Sequence, residues 1–382
     1  MLSFPRNIIS ILLLGMVPGM LFAGLYPFDY SPSNQVSGLE DSAAIHFYGH
    51  GEAVSVGNSS WPMEDYRGQP ITLELYLRPL EAYHEGVPHI LSLCDRSGRE
   101  VFYIGQWKNH MVMRLLGDNR WLTRIEREAG TPDLPESGQP VFLSFVFHEG
   151  RVELYTDAKL AEVYDNFDLI GALDRRPVRS LVLGNSSLGE HPWRGEIHGF
   201  SVFAIALDPM AIRGNYSRRK SDENTGTAGE IIRYQFDDPS GGVIINSAGN
   251  EWDLVIPETL IPLRREFLAL PGVDNFKKRW FYTDALVNLA GFVPLGFILA
   301  MLFLARETSG RNRIVLFSLT AGFLLSFFIE ANQVFLVMRN SSLTDLILNT
   351  LGAGIGALGF LALSGPFASG SSRNEYPGES TP

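Results

Sequence analysis

The sequence has a single cysteine, Cys94, among its 382 residues. A disulfide bond within the chain is therefore excluded, and so is a zinc site built mainly from cysteine. Basic residues are also scarce, because 31 Lys and Arg stand against 42 Asp and Glu, which gives a net charge of −11. An acidic protein repels phosphate backbones, so nucleic acid is not expected as a partner.

Common catalytic signatures are missing as well. The sequence contains no His-Glu-x-x-His and no Gly-x-Ser-x-Gly motif, which removes the best-known metal-hydrolase and serine-hydrolase patterns. Glycosidases use paired carboxylates, but Glu74 has no second carboxylate on its own predicted strand. We therefore predict no catalytic residue, and an enzyme is not the favoured interpretation.

Four apolar segments are present, at residues 8–25, 285–305, 314–337 and 343–363. Each is long enough, or nearly so, to cross the hydrocarbon core of a bilayer, which takes about 20 residues. The first could instead be a cleaved signal peptide. The aromatic residues Tyr26 and Phe28 at its end suit a membrane interface and favour a retained anchor.

The distribution of basic residues predicts the orientation. Arg306, Arg311 and Arg313 lie between the second and third segments, so this loop is predicted to be cytoplasmic. Both chain ends are then cytoplasmic, and the large middle region lies outside. Lys277, Lys278 and Arg279, just before the second segment, argue against this topology.

The middle region, from about residue 42 to 262, shows an alternation of apolar and polar residues in short runs separated by turn residues. About a dozen such runs predict an antiparallel β-sandwich. Residues 234–238, near the end of this region, are predicted to form a closing strand that returns beside the first strand, near the membrane.

That resemblance is to laminin-G-like domains. It is supported by five stretches in the expected order: Ala44-Ile45-His46-Phe47-Tyr48-Gly49, Ile71-Thr72-Leu73-Glu74-Leu75-Tyr76-Leu77-Arg78-Pro79, Val152-Glu153-Leu154-Tyr155-Thr156-Asp157, Leu181-Val182-Leu183-Gly184 and Trp193-Arg194-Gly195-Glu196-Ile197. The resemblance implies a concanavalin A-like jelly roll that binds glycans or proteins, in some members through Ca²⁺.

The resemblance also implies roles for individual residues of the middle region. Asp157 and Asn185 are the suspected metal ligands or loop contacts. The plainer alternative for Asp157 is that it completes a hairpin turn. Four tryptophans could stack on sugars or belong to the core, namely Trp61, Trp107, Trp121 and Trp193.

The membrane segments carry a repeated pattern. Asp284, Asn288 and Gly291 open the second segment, and Asp345, Asn349 and Gly352 open the fourth with the same spacing. Offsets of four and seven put all three residues on one face of a helix. The glycines, extended by Gly296 and Gly356, predict close helix packing. The aspartates are predicted to cap their helices.

Polar residues within the third segment complete a predicted polar cluster. Glu330 and Gln333 lie three residues apart, and Arg339 follows as a possible charge partner of Glu330. Polar groups at membrane depth are costly and usually face a partner or a cavity. The cluster is either structural, as caps and interhelical hydrogen bonds, or a binding site for a lipid head group, a lipid-linked glycan or a drug.

This part of the sequence resembles the VanZ-like family. The resemblance rests on Asp284 with Asn288 to Phe297, on Ile329 to Phe335, and on Arg339 to Asp345 with Asn349 to Ala353. It implies a bacterial polytopic membrane protein. The founding member of the family is linked to glycopeptide resistance, and most members lack a large domain between the first two spans.

The predicted organisation is a first transmembrane helix at residues 1–30, a β-sandwich at 31–265, and a basic juxtamembrane segment at 266–283. A VanZ-like domain follows at 284–365 and a disordered tail at 366–382. The expected function is a multi-pass protein of the bacterial inner membrane, in contact with the lipid bilayer and presenting a glycan- or protein-binding sandwich outside it. A link to glycopeptide resistance or to the handling of an envelope polymer belongs to this expectation. The alternatives are an intramembrane enzyme acting through Glu330 and the paired aspartates, or a membrane scaffold.

Overall fold

The computed structural model describes residues 6–39, 42–56, 62–81, 86–118, 125–132, 138–221, 226–236, 242–249, 251–271, 276, 279–304 and 310–365. The chain divides into two compact units. The helical unit comprises residues 1–26, 273–332 and 342–382, and the sandwich unit comprises residues 27–272 and 333–341. Some residues and segments named in the predictions lie outside the described residues: Trp61, Trp121, Lys277, Lys278, Arg306 and the tail 366–382.

The sandwich unit contains sixteen described strands, two helices and a short 3-10 helix, Pro62–Tyr66. The elements are β1 (Val36–Leu39), β2 (Ser42–Tyr48), β3 (Ala53–Val56), β4 (Ile71–Pro79), β5 (His89–Asp95), β6 (Glu100–Trp107), β7 (His110–Leu116), β8 (Ile125–Gly130), β9 (Val141–His148), β10 (Arg151–Thr156), β11 (Lys159–Tyr164), α2 (Leu169–Arg175), β12 (Val178–Leu183), β13 (Arg194–Phe203), α3 (Pro209–Lys220), β14 (Glu230–Tyr234), β15 (Val243–Ile244) and β16 (Leu254–Val255).

These strands form two antiparallel sheets. The first sheet has the order β1-β2-β13-β4-β9-β10-β11, with β14 also paired to β13, and the second has the order β15-β16-β3-β12-β5-β6-β7-β8. Sequence neighbours such as β9 and β10 form hairpins, but β13 joins strands that are distant in sequence. The predicted antiparallel β-sandwich is confirmed.

The alternation of residues along each strand explains the core. In β4, Leu73, Leu75 and Leu77 belong to the main hydrophobic cluster, whereas Glu74 and the other even-numbered residues point to the opposite face. Both sheets contribute to this cluster, which also contains fully buried Trp193 and Trp252. The core therefore lies between the inner faces of the two sheets.

The outer face of the first sheet is partly covered by α3. The helix begins after Asp208, whose Oδ1 accepts a hydrogen bond from the Ala211 N–H at 2.8 Å, and Pro209 occupies its first turn. Ile212 of the helix packs in a second apolar cluster with Phe142 and Val146 of β9. This packing holds the C-terminal turns of α3 over the strands β4, β13 and β14.

The closing strand is placed differently from the prediction. β14 pairs with β13 at Phe200–Phe203, and β2 pairs with the same edge of β13 at Arg194–Ile197. Thus β14 continues the row of β2 along β13, and its described residues form no ladder with β1 or β2. The prediction was wrong because pairing order cannot be read from the alternation within a strand. The helix α3 was also not predicted, since only Ile212 of its apolar residues is fully buried.

The helical unit contains four helices that are long and apolar enough to cross a membrane: α1 (Arg6–Leu25), α4 (Arg279–Leu304), α5 (Arg311–Gln333) and α6 (Leu343–Leu363). The most extensive helix pairing is between α4 and α6. Helix α4 begins at Arg279, inside the segment predicted to be juxtamembrane, and α5 ends four residues before the predicted position.

Asp284 and Asp345 were predicted to cap their helices, but the observed N-termini of α4 and α6 show that they do not. Asp284 lies in the second turn of α4, because the aromatic residues before it continue the helix. The N-cap of α6 is Ser342, whose hydroxyl accepts a hydrogen bond from the Asp345 N–H at 3.3 Å. Asp345 instead supplies negative charge in the first turn, which favours the positive end of the helix dipole.

Candidate functional site

Among the described carboxylates of the helical unit, Glu330 is the most buried, with 1% of its surface exposed. Its Oε2 accepts a hydrogen bond from the backbone N–H of Ser342 at 2.7 Å. The first N–H groups of a helix have no partner within the helix. Glu330 of α5 therefore supplies an acceptor at the start of α6 and ties the two helices together.

Asn349 is also buried, on the face of α6 that meets α5. Its Nδ2 donates a hydrogen bond to the hydroxyl of Ser326 at 3.0 Å, and its Oδ1 has no hydrogen-bond partner among the described residues. Polar side chains that bond across helices stabilise their packing in a membrane. Asn349 and Ser326 thus form a second polar link between α5 and α6.

The two aspartates of the repeated pattern come close to one another in space. Asn288 Nδ2 lies 3.5 Å from Asp284 Oδ2 on α4. The side chain of Asn288 is also within hydrogen-bonding reach of Asp345, and Asp284 is near enough to act on Asp345 electrostatically. The structure therefore brings Asp284, Asn288 and Asp345 together, as one end of a polar cluster shared by α4 and α6.

The remaining members of the predicted cluster belong to the other unit. Gln333 and Arg339 fall within residues 333–341, which group with the sandwich. The sequence placed them beside Glu330 because they follow it closely in the chain. The charge pair between Glu330 and Arg339 stays a prediction.

Three of the four predicted packing glycines sit at close backbone contacts. A Cβ at Gly296 would overlap the carbonyl of Ala353, and a Cβ at Gly352 or Gly356 would overlap carbonyls of α4. Gly291 is different, because a Cβ there would meet no described atom within 4 Å. The residues of α4 that meet α6 include Leu289, Val293 and Gly296, so Gly291 lies on the opposite side of the helix. The prediction for Gly291 was wrong for this reason.

In the sandwich unit, Asp157 lies in the two-residue turn between β10 and β11. Asp157 and Ala158 have φ values of 48° and 60°, as a tight hairpin of this type requires. Asp157 Oδ1 accepts a hydrogen bond from the Phe142 N–H at 3.1 Å. This geometry matches the plainer alternative, in which Asp157 completes the hairpin.

Asn185 follows β12 of the second sheet and is fully buried. Its Oδ1 accepts hydrogen bonds from the N–H groups of Ser186 and His191, at 2.8 and 3.1 Å. It therefore shapes the loop before β13. Asp157 and Asn185 belong to different sheets, and the described residues contain no group of three His, Cys, Asp or Glu suited to a metal. Calcium binding through these two residues stays a prediction.

The two tryptophans that the structure describes among the four suspected ones have opposite environments. Trp193 is fully buried, and its Nε1 donates a hydrogen bond to Gln106 Oε1 at 2.8 Å. Trp107 is 45% exposed in the hairpin between β6 and β7, beside Lys108 and His110. Of this pair, only Trp107 is exposed, and its ring lies between the side chains of Lys108 and His110.

A further group of side chains lies on the outer face of the first sheet. We call it the sheet-face patch, and it consists of His46, Tyr48, Arg78, Glu196 and His198. Strand pairing sets His46, Glu196 and Arg78 side by side on β2, β13 and β4. Tyr48 is 49% exposed and its ring stacks on His46, with the centroids 3.8 Å apart.

Glu196 is the centre of the patch. Its side chain is 3% exposed and forms an ion pair with Arg78, while His198 Nε2 lies 3.2 Å from Glu196 Oε2 and His46 Nδ1 lies 3.8 Å from Oε1. Burial lowers the pKa of His46 and His198, so both imidazoles are mainly neutral at pH 7. Neutral imidazole, guanidinium and carboxylate groups together offer both donors and acceptors of hydrogen bonds.

No local sequence pattern predicts this patch. Three strands each carry polar or aromatic residues at two alternate positions, and these are the residues that could have indicated it: 46 and 48 in β2, 76 and 78 in β4, and 196 and 198 in β13. Their meeting depends on β2 and β4 pairing with opposite edges of β13. That order joins segments more than a hundred residues apart, and no local pattern reveals it.

Two antiparallel sheets and four helices with the length and apolar composition of membrane spans fit a multi-pass membrane protein. The family model VanZ/LLP1 matches residues 240–364. The chain therefore contains a VanZ-like domain, as the sequence resemblance predicted. No curated protein matches the chain in sequence.

Among solved structures, the chain resembles a proposed carbohydrate-binding protein from Bacteroides ovatus, with 11% identity and a TM-score of 0.40 over 57% of this chain and 59% of that one. It also resembles the receptor-binding domain of botulinum neurotoxin C/D mosaic serotype, with 13% identity and a TM-score of 0.37 over 49% of this chain and 44% of that one. The matched region thus spans about half the length of these structures.

Proposed function

We propose that the chain is a bacterial cell-envelope membrane protein whose sandwich binds a glycan through the sheet-face patch. The observation that carries this proposal is the exposed Tyr48 ring beside the buried Glu196, with Arg78 and two histidines around it. The VanZ-like domain supports an envelope location, and its helices would hold the sandwich at the membrane.

The chemistry of the patch suits a sugar. A tyrosine ring offers an apolar face of the kind that packs on a pyranose, and its hydroxyl supplies a polar edge. Side chains that carry donors and acceptors in fixed positions can bind neighbouring hydroxyl groups and so select one sugar orientation. Neutral histidines keep the patch from attracting anions in general, which favours a neutral polar ligand.

Binding can be tested with the purified full-length protein in detergent, using peptidoglycan fragments and a microarray of defined bacterial glycans. We expect Tyr48→Ala to weaken binding about tenfold, equivalent to about 1.4 kcal/mol. Tyr66→Ala is the matched control, because Tyr66 is an aromatic residue of similar exposure, 40%, outside the patch. Equal binding by wild type and Tyr48→Ala, or no binding to any glycan, would contradict the proposal and leave a protein ligand or a scaffold role.

The proposed location is the inner membrane, with the sandwich on the periplasmic or extracellular side. A reporter inserted after Ser221, at the end of α3, tests this directly. We expect activity from alkaline phosphatase and no fluorescence from green fluorescent protein at this site. The reverse pattern would place the sandwich in the cytoplasm and remove extracellular glycans as ligands.

An intramembrane enzyme is the second candidate, and the proximity of Asp284 and Asp345 across α4 and α6 is the observation that favours it. This hypothesis predicts that Asp345→Asn abolishes the cellular function while protein abundance persists. A parallel loss of abundance would instead indicate a structural cluster. The readout is survival of a deletion strain, complemented with each variant, under envelope stress and glycopeptides.

A further inference from the structure

A second polar site lies on the outer face of the first sheet, between the end of α3 and the strands β4, β13 and β14. We call it the arginine cleft, and its lining includes Arg218, Arg219, Arg233, Glu74, Asn215 and Glu230. None of these residues belongs to the sheet-face patch. The cleft encloses about 300 Å³ of space, including the part open to solvent, which suits a small group rather than a buried sugar chain.

Each arginine of the cleft is held by polar neighbours. Arg218 Nη2 donates to Thr227 Oγ1 at 2.6 Å and also bonds Asn215 Oδ1. Arg219 Nη2 donates to the hydroxyl of Ser201 at 2.8 Å. Two guanidinium groups from one helix end are therefore fixed against the sheet, and this orders long side chains before any ligand arrives.

Arg233 approaches from the opposite side, on β14. Its Nη1 donates to Glu230 Oε2 at 3.3 Å and its Nη2 donates to the carbonyl of Ser247 at 3.1 Å. Its Nε is buried and has no hydrogen-bond partner among the described residues. Arg233 thus holds one end of its guanidinium group against β14 and the carbonyl of Ser247.

Two glycines leave room for these side chains. A Cβ at Gly199 would lie 2.5 Å from Arg219 Nη1, and a Cβ at Gly226 would lie 2.6 Å from Arg233 Nη1. A larger residue at either position would push a guanidinium away from the cleft. The backbone is therefore shaped around two of the three arginines.

The charges of the described lining residues do not balance. Three arginines stand against the two carboxyl groups of Glu74 and Glu230, which leaves a positive excess even if both are ionised. Burial raises the pKa of Glu74 to about 8, so this side chain is mainly neutral at pH 7 and the excess increases. Glu230 already accepts hydrogen bonds from Ser201 and Arg233.

We propose that the arginine cleft binds a small oxyanion, the phosphoryl or carboxylate group of an envelope component. Guanidinium groups present five N–H donors in a planar fork that fits the oxygen atoms of either group. An arrangement that served only to fix α3 to the sheet would need no excess of arginine over carboxylate. The inference does not depend on glycan binding by the sheet-face patch.

The direct test is calorimetric titration of the full-length protein in detergent at pH 7. The probes are inorganic phosphate, methyl phosphate and acetate, each at the same ionic strength as a sodium chloride control. We expect saturable binding of at least one probe with a dissociation constant in the millimolar range or tighter. Preference for methyl phosphate indicates a phosphoryl ligand, and preference for acetate indicates a carboxylate. Heat effects no different from those of chloride would overturn the proposal.

Variants then locate the binding. Arg219→Gln and Arg233→Gln are each expected to weaken binding about tenfold, and Arg219→Lys to weaken it less because the charge is kept. Arg213→Gln is the matched control, since Arg213 is exposed on the same helix and does not line the cleft. If the glutamine variants fail to fold, Arg219→Lys alone still tests the site. Binding by Arg219→Lys that is unchanged from wild type would contradict the assignment of the site. An equal loss in Arg213→Gln would also contradict it.

Discussion

Two buried carboxylates of the sandwich unit, Glu74 and Glu196, are held differently from Glu330 of the helical unit. In the sandwich, Glu74 and Glu196 lie on the outer face of a sheet and contact side chains from neighbouring strands or from α3. In the helical unit, Glu330 accepts a hydrogen bond from the backbone at the start of the next helix. Glu74 and Glu196 thus belong to patches of side chains on a sheet, whereas Glu330 fixes the start of a helix.

The reason for this difference is geometric. Every second residue of a strand points away from the core, so a sheet offers a broad outer face on which polar residues from several strands can meet. A helix that crosses a membrane exposes most of its surface to lipid, where polar groups are costly. Its polar residues are confined to helix contacts and ends, and close packing relies on glycine.

The largest loss of stability is expected from a substitution in the core of the sandwich. We expect Trp193→Ala to lower the free energy of unfolding of the sandwich by about 3–5 kcal/mol, because a fully buried aromatic side chain and its hydrogen bond to Gln106 are lost. Trp107→Ala should change it by less than about 0.5 kcal/mol, since that ring is exposed. Urea denaturation of the full-length protein followed by fluorescence measures both. Similar losses in the two variants would show that Trp193 is not a core residue.

The second prediction concerns how the stability of the sandwich depends on pH through Glu74. The pKa of Glu74 in the folded protein is raised to about 8 from an ordinary value of 4.5, chiefly by burial. The folded state therefore binds a proton more tightly than the unfolded state, and the contribution of Glu74 to stability falls as pH rises from about 4.5 to about 8. We expect Glu74→Gln to remove this fall, so that its stability relative to wild type increases by up to a few kcal/mol between pH 5 and pH 9.

Unfolding midpoints measured across this range test the pH prediction. Glu162→Gln is the control, because Glu162 is exposed on β11. A difference between Glu74→Gln and wild type that stays constant with pH would mean that Glu74 is ionised in the folded protein. The charge excess in the arginine cleft would then be smaller.

Helix packing provides the third comparison. Gly296→Leu should destabilise the pairing of α4 and α6 by up to about 3 kcal/mol, because the side chain would collide with the backbone of Ala353. Gly291→Leu should be tolerated, since no described atom lies near its Cβ position. The yield of monodisperse protein after detergent extraction, and its thermal stability, report the difference. Equal tolerance of both substitutions would break the assignment of the packing face.

The smallest effect concerns the polar contact of Glu330. Glu330→Ala should lower the free energy of unfolding of the helical unit by about 2 kcal/mol, because the Ser342 N–H loses its acceptor. Glu330→Gln should lower it by only about 1 kcal/mol, because glutamine keeps an acceptor oxygen. Protein abundance and thermal stability in detergent measure these losses. A fully stable Glu330→Gln variant without cellular function would instead support the intramembrane enzyme.

The sequence was informative wherever a local pattern reports burial. Ile71 to Leu77 alternates so regularly that the strand and its core face could be predicted, and the apolar length of residues 343–363 predicted α6 with the observed ends. The first turn of α4 was missed because Trp280, Phe281 and Tyr282 suit an interface as well as a helix. The glycine pattern predicted helix packing but not which side of α4 meets α6.

The candidate sites were less predictable than the elements that carry them. Asp284, Asn288 and Asp345 were found because polar residues stand out within apolar helices. The members of the sheet-face patch and of the arginine cleft look ordinary in the sequence, because polar residues are expected on the outer face of any sheet. Glu74 seemed isolated only because Glu230 comes from a strand about 150 residues later.

By itself, the sequence determined that this chain combines a β-sandwich with apolar helices and a VanZ-like domain, since residue periodicity and apolar length act locally. The tertiary structure alone decided which outward-facing residues meet. Pairing of β13 with β2 and β4 brings His46 and Arg78 to Glu196, and the docking of α3 brings Arg219 to the strand of Ser201. These contacts arise from long-range strand order and packing, for which short sequence patterns contain no signal.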